Sequence, residues 1–169
     1  MFSKTEIEKY FIAEKNESLL IIILGIAAIV FAVVLFFFIK TNWHKGAAIP
    51  FLIFGIMQFA VGYVVYKKCD TQRMQNVYAY DMNPSNLKTK ELPRIQQVNK
   101  NFVWYKYIET ALLIIGIALF FYFKNDDTKL FWVGFAIALF IEAAISLSVD
   151  SVAHTRAKAY EKGLEEFLK

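Results

Sequence analysis

Four runs of about twenty apolar residues dominate this chain, and they leave few folds open to it. The runs cover about 18–39, 47–66, 105–123 and 130–149. A helix needs about 20 apolar residues to cross the hydrocarbon layer of a bilayer. In lipid, only helices and closed barrels satisfy their own backbone groups. The runs lack the apolar–polar alternation of barrel strands, so helices are expected. The predicted fold class is an all-α integral membrane protein with four transmembrane helices, a single membrane domain over residues 1–169. Composition agrees: 57% of the residues are hydrophobic and 17 are phenylalanine. A soluble domain carries roughly 45–50% and has too small a core to bury more.

Lysine and arginine set the expected direction. The N-terminal tail, the middle loop of about 67–104 with Lys106 at its border, and the C-terminal tail hold 15 of them. The two opposite turns hold 4, namely Lys40, Lys45, Lys124 and Lys129. The positive-inside rule places the first group in the cytoplasm. The expected location is therefore a bacterial inner membrane, with both termini inside. Trp43, Tyr122 and Trp132 fall at the outer boundary, and Tyr63, Tyr66, Trp104, Tyr105 and Tyr107 at the inner one. Rings with a polar edge favour that interface. The first apolar run is too long for a cleavable signal and lacks a small-residue cleavage site, so it is expected to be retained.

The helices are expected to outrun the bilayer on the cytoplasmic side. Ser3-Lys4-Thr5-Glu6 reads as a capping box. Residues 1–17 then form an amphipathic helix that either continues into the first span or lies flat on the membrane. Thr71–Tyr80 extends span two, Asn83-Pro84-Ser85-Asn86 is a turn, Pro93 suits a helix start, and 150–169 is helical in pattern. Pro50 is expected in the first turn of span two. Two hairpins with long legs and short outer turns, Lys40–Gly46 and Lys124–Thr128, result.

The hairpins resemble one another. A shift of 84 residues aligns Lys45 with Lys129, Phe51 with Phe135, Ile53 with Ile137, Gln58 with Glu142, Ala60 with Ala144 and Thr71 with Thr155. In the first legs of the hairpins, matched separately, Glu17 falls near Glu109 and Gly25 near Gly116. Tandem hairpins of the same orientation predict a weak parallel repeat about an axis along the membrane normal. Gly134 with Ala138, Gly55 with Gly62, and more loosely Gly25 with Ala28 are small residues spaced for close helix contact.

Polar groups within the spans mark the expected site, because a charge at a helix centre costs roughly 2.5–3.5 kcal/mol on insertion scales. Glu142, Glu109 and Gln58 lie in the inner half, and Glu17, Tyr63 and Ser146 fall near the same level. They are read as a polar cluster that is either a cation, proton or recognition site, or a set of structural contacts. In the structural reading Glu109 pairs with Lys106 one turn away, and Glu142 bonds to Gln58 between helices.

No catalytic residue, metal site or cofactor is predicted. His44 and His154 fall on opposite sides of the membrane, and no phosphate-binding glycine loop, zinc spacing or nucleophile elbow is present. Cys69 is alone, so no internal disulfide forms. The net charge of +4 is that of span-flanking residues and does not indicate nucleic acid. The expected partners are the lipid bilayer and either another membrane protein or further copies of this chain. The functional expectation is a non-catalytic binding protein, such as an immunity protein against a membrane-inserting toxin or an accessory subunit. The alternative is a small oligomeric transporter or channel using Glu142, Gln58 and Glu109.

Overall fold

The computed structural model describes residues 2–39 and 41–169; Lys40, counted above at an outer turn, lies outside them. Four long helices make up the fold: α1 (Lys4–Val34), α2 (Asn42–Met82), α4 (Leu92–Phe123) and α5 (Leu130–Phe167), with a single turn, α3 (Pro84–Asn86), between the halves. All four are long and apolar enough to cross a membrane. At about 1.5 Å per residue they run roughly 45–60 Å, well beyond a hydrocarbon layer of about 30 Å.

The helix starts differ from the sequence expectation in two places. Thr41 caps α2 by accepting a hydrogen bond from the His44 amide, which begins the helix before Trp43 and shortens the outer turn. Pro50 is therefore buried within α2 rather than in its first turn. Lacking an N–H, it leaves the Gly46 carbonyl without its usual donor. At the start of α1, Ser3 is the cap residue but its side chain makes no capping bond. The Glu6 amide bonds instead to the Ser3 carbonyl at 3.0 Å. The chain's approach is set by Phe2, whose ring packs on Tyr160 and Phe167.

α1 packs along α2, α4 along α5, and α2 against α5, with a smaller contact between α1 and α5. α2 and α5 run parallel, since Gly46 meets Phe131 and Gln58 meets Glu142, the contacts advancing together along both chains. Missing side chains set these distances. A Cβ on Gly25 would lie 2.7 Å from the Gly55 carbonyl oxygen, and one on Gly62 2.9 Å from that of Ser18. A Cβ on Gly46 would run into the Phe131 carbonyl, and one on Gly134 into that of Trp43. Gly134 and Ala138, Gly55 and Gly62, and Gly25 and Ala28 thus all serve packing within the bundle. Ala32, Leu35, Ala47, Ala48 and Ala138 form a core beside these contacts, covered by Phe51.

The helix ends beyond the apolar runs do not splay. Phe2, Ile7, Tyr10 and Phe11 of the N-terminal segment meet Ala79 of α2, Leu87 and Ile95 around the start of α4, and Ala157, Tyr160 and Leu164 of α5. The apolar stripe of residues 1–17 is covered by this second core, so α1 continues unbroken and does not lie flat. We call this end the head. A π-helical turn, Leu87–Glu91, precedes α4, with the Leu92 amide bonded to the Leu87 carbonyl five residues back.

Candidate functional site

Gln58 on α2 and Glu142 on α5 carry the clearest polar contact within the apolar segments. Gln58 Nε2 donates to Glu142 Oε2 at 2.9 Å. Glu142 is only 3% exposed, and Gln58 Oε1 is buried with no hydrogen-bond partner. The two residues stand 84 positions apart, the spacing that aligned them in the sequence. Beside them opens a groove of about 220 Å³ lined by Leu24, Ala27, Ala28 and Phe31 of α1, Phe51 and Gln58 of α2, and Glu142 and Ile145 of α5. It exists because α1 and α5 touch only slightly, leaving a furrow whose floor is α2.

The other predicted residues disperse. Glu109 is buried on α4 and faces the Asp150 carboxyl of α5. It does not form the expected ion pair: Lys106 acts on it electrostatically, but among the described residues no salt bridge joins them. The reason is orientation, since Glu109 lies on the face that α5 covers, and its Oε2 is left without a partner. Glu17 pairs with Arg156 of α5. Tyr63 is half exposed and stacks on Phe59 at 6.3 Å. Ser146 is half-buried on α5, one turn from Glu142. The expected cluster is thus three separate contacts, Gln58–Glu142, Glu109–Asp150 and Glu17–Arg156, each joining α5 to a different helix.

Asp150 and His154 were not singled out for this region. Their signal was present, because Glu142, Ser146, Asp150 and His154 recur every four residues along α5. His154 is buried, stacks on Phe102 of α4 at 5.6 Å, and has an unpartnered Nε2. Burial, with help from Lys106 and Lys158, holds its imidazole below its ordinary pKa.

A polar network in the head was also missed. Arg94 donates through Nε and Nη2 to the two oxygens of buried Glu91 at 2.8 and 2.7 Å, a paired geometry that only guanidinium provides. Its plane lies over Phe11 at 5.3 Å. Tyr10 stacks on Tyr160 at 4.1 Å and donates to Glu14 Oε1 at 3.3 Å. Burial pushes both phenols and the Glu14 carboxyl above their ordinary pKa values. Glu91 and Arg94 sit in the charged middle loop of the sequence, and only the tertiary fold buries them. Neighbouring ties join Lys15 to Asp70, Lys4 to Asp81, and Asn99 to Glu161. Among the described residues no group of three or more His, Cys, Asp or Glu is placed to hold a metal ion. Comparison with protein-family models, with curated proteins and with solved structures finds no match to this chain.

Proposed function

We propose that this chain is a non-catalytic binding protein of a bacterial inner membrane, with four spans and the head in the cytoplasm. The distribution of lysine and arginine supports that orientation, and the parallel packing of α2 and α5 through equivalent residues supports a tandem hairpin repeat. The observation that carries the reading is the groove beside Gln58 and Glu142. It opens on the flank of the bundle, where lipid or another membrane helix would lie. At about 220 Å³ it falls below the roughly 300–1,000 Å³ typical of small-molecule sites. It suits a side chain protruding from a partner helix better than a free ligand. Its floor is apolar with one polar anchor, the arrangement by which membrane helices recognise each other. An immunity protein that engages a membrane-inserting toxin, or an accessory subunit of a membrane complex, would use such a surface.

Affinity purification from native membranes in mild detergent tests this. A stoichiometric partner is expected from the wild type and is expected to be lost from Ala27→Phe, which fills the groove from the exposed side of α1. A partner retained by that variant would rule the groove out. The second reading, an oligomeric transporter or channel, is favoured by the buried carboxyls of Glu109 and Glu142. It predicts recovery of a homo-oligomer alone, with flux in proteoliposomes that Glu142→Gln abolishes. The close packing around Gly46, Gly134 and Ala138 closes the far half of a single bundle and speaks against a path within one chain.

A further inference from the structure

We propose that the seam between α4 and α5 carries protons from the head to Glu142, along His154, Asp150 and Ser146, and stops there. Steps of four residues advance about 6 Å along a helix and turn by about 40°, so these four groups form a slowly winding row over about 18 Å. At one end Glu142 faces Gln58 of α2; at the other, Asp150 and His154 face Glu109 and Phe102 of α4. The row therefore follows α5 from the centre of the bundle to its seam with α4. Glu142, Glu109 and His154 are each more than nine-tenths buried. Glu109 Oε2 and His154 Nε2 lack protein partners, and ordered water can satisfy buried polar atoms of that kind. The proposed relay places water in the gaps between these groups, whose positions on α5 repeat about every 6 Å along the axis.

The charges around the row suit transfer. Lys106 and Glu109 face it from α4, Glu17 from α1 with Arg156 as its counter-charge, and Lys158 from α5 itself; α2 contributes the neutral Gln58. Beyond Glu142 the row ends at Leu139 and Ala138, in the tightly packed region near Gly134. Its aqueous mouth lies in the head, and at Glu142 it borders the apolar groove on the flank of the bundle. The net step is simple: a hydronium ion in the head loses one proton, and the Glu142 carboxylate becomes a carboxylic acid. No electrons move, and release reverses the step.

Glu142 has a partner in both states. Ionised, it accepts from Gln58 Nε2 as observed. Protonated, it can donate to Gln58 Oε1, the atom now without a partner, once the amide turns over. The wall of the groove then changes from anionic to neutral with the pH of the head compartment. This does not depend on what occupies the groove.

The test follows the carboxyl C=O band of the full chain in detergent by infrared difference spectroscopy. The band of protonated Glu142 is the one lost in Glu142→Gln. On transfer to D2O it is expected to shift within the mixing time in the wild type. In Asp150→Asn and in His154→Gln, exchange is expected to slow by about tenfold or more, as removal of one relay group implies. Asp150→Glu should restore it, and Asp126→Asn at the outer turn should leave it unchanged. Two variants guard against one failing to fold, which gel filtration reveals. Wild-type rates in both would overturn the proposal. So would a Glu142 band that does not exchange, or the absence at every pH of any band that depends on Glu142.

Discussion

Gly134→Ala adds one methyl group where α5 crosses α2, and its cost can be worked from the geometry. The new Cβ would collide with the Trp43 carbonyl and lie 3.2 Å from the Ala47 amide nitrogen. Both are backbone atoms of a helix that is itself held by α1, so neither can swing aside. Forcing extra methylenes into a packed site costs typically about 1–3 kcal/mol, and a clash with the backbone of one turn of α2 belongs at the upper end. Alanine also stabilises a helix over glycine by roughly 0.8–1.0 kcal/mol. The net expectation is about 2 kcal/mol of destabilisation, or roughly thirtyfold in the folding equilibrium. Gly163→Ala is the control. Its Cβ would lie 2.7 Å from Cδ2 of the Phe2 ring, a side chain that can repack where helix backbone cannot, so the strain should be smaller and propensity should offset much of it. Gly46→Ala, which meets the Phe131 carbonyl across the same crossing, should cost as much as Gly134→Ala. The double variant should cost less than the sum, because the first methyl opens the seam for the second. Detergent-to-SDS titration followed by tryptophan fluorescence measures all four, with Trp43 and Trp132 close to the crossing. If Gly134→Ala is no more costly than Gly163→Ala, the α2–α5 crossing is not backbone-to-backbone and the reasoning fails.

Three further predictions concern other parts of the chain. A double-mutant cycle of Gln58→Leu and Glu142→Leu should return a coupling of about 0.6–1.7 kcal/mol, from the average to the maximum found for interhelical hydrogen bonds in a membrane protein; zero coupling would mean the contact at 2.9 Å contributes nothing. Cys69 is 1% exposed, and burial first, then Glu14, pushes its thiol up to about 12. A maleimide should therefore leave it unmodified in the folded chain and label it fully in SDS, whereas rapid labelling of the folded chain would contradict the burial. His154 titrates below its ordinary value because of burial and then Lys106 and Lys158, so the unfolded chain takes up its proton first as pH falls. Its contribution to stability is present above the ordinary imidazole value of about 6.5 and is lost as pH falls through the lower folded value. Stability measured across that interval should decline in the wild type and decline less in His154→Gln.

Much of this architecture could be read along the chain because each signal is local. Four apolar runs predict four helices, and Asn83-Pro84 predicts the break between α2 and the second half. The pairing of Gln58 with Glu142 was legible through the 84-residue shift. A polar residue in an apolar run is costly without a partner, and the matching position of the other hairpin was the nearest one of the right kind. Glu109 was read less well. Sequence spacing offers Lys106 three residues away, but helix rotation turns Glu109 toward α5, and only the α4–α5 seam brings Asp150 to it. Pro50 misled for a related reason: a proline marks a helix start only if nothing earlier caps the chain, and Thr41 does.

What the sequence determines by itself is element type, length and the polar level within each apolar run, since these follow from hydropathy and turn chemistry over a few residues. The tertiary structure decides what the protruding ends do and which faces meet. Residues 1–17 have an apolar stripe whether they lie on a membrane or pack against a neighbour. The stripe is settled only when Phe2, Tyr10 and Phe11 meet Ile95, Tyr160 and Leu164, residues up to 162 positions away in the chain. The burial of Glu91 with Arg94, and the groove between α1 and α5, likewise arise from the placement of helices distant in sequence. No local pattern encodes them, because each depends on where helices distant in the chain are placed relative to one another.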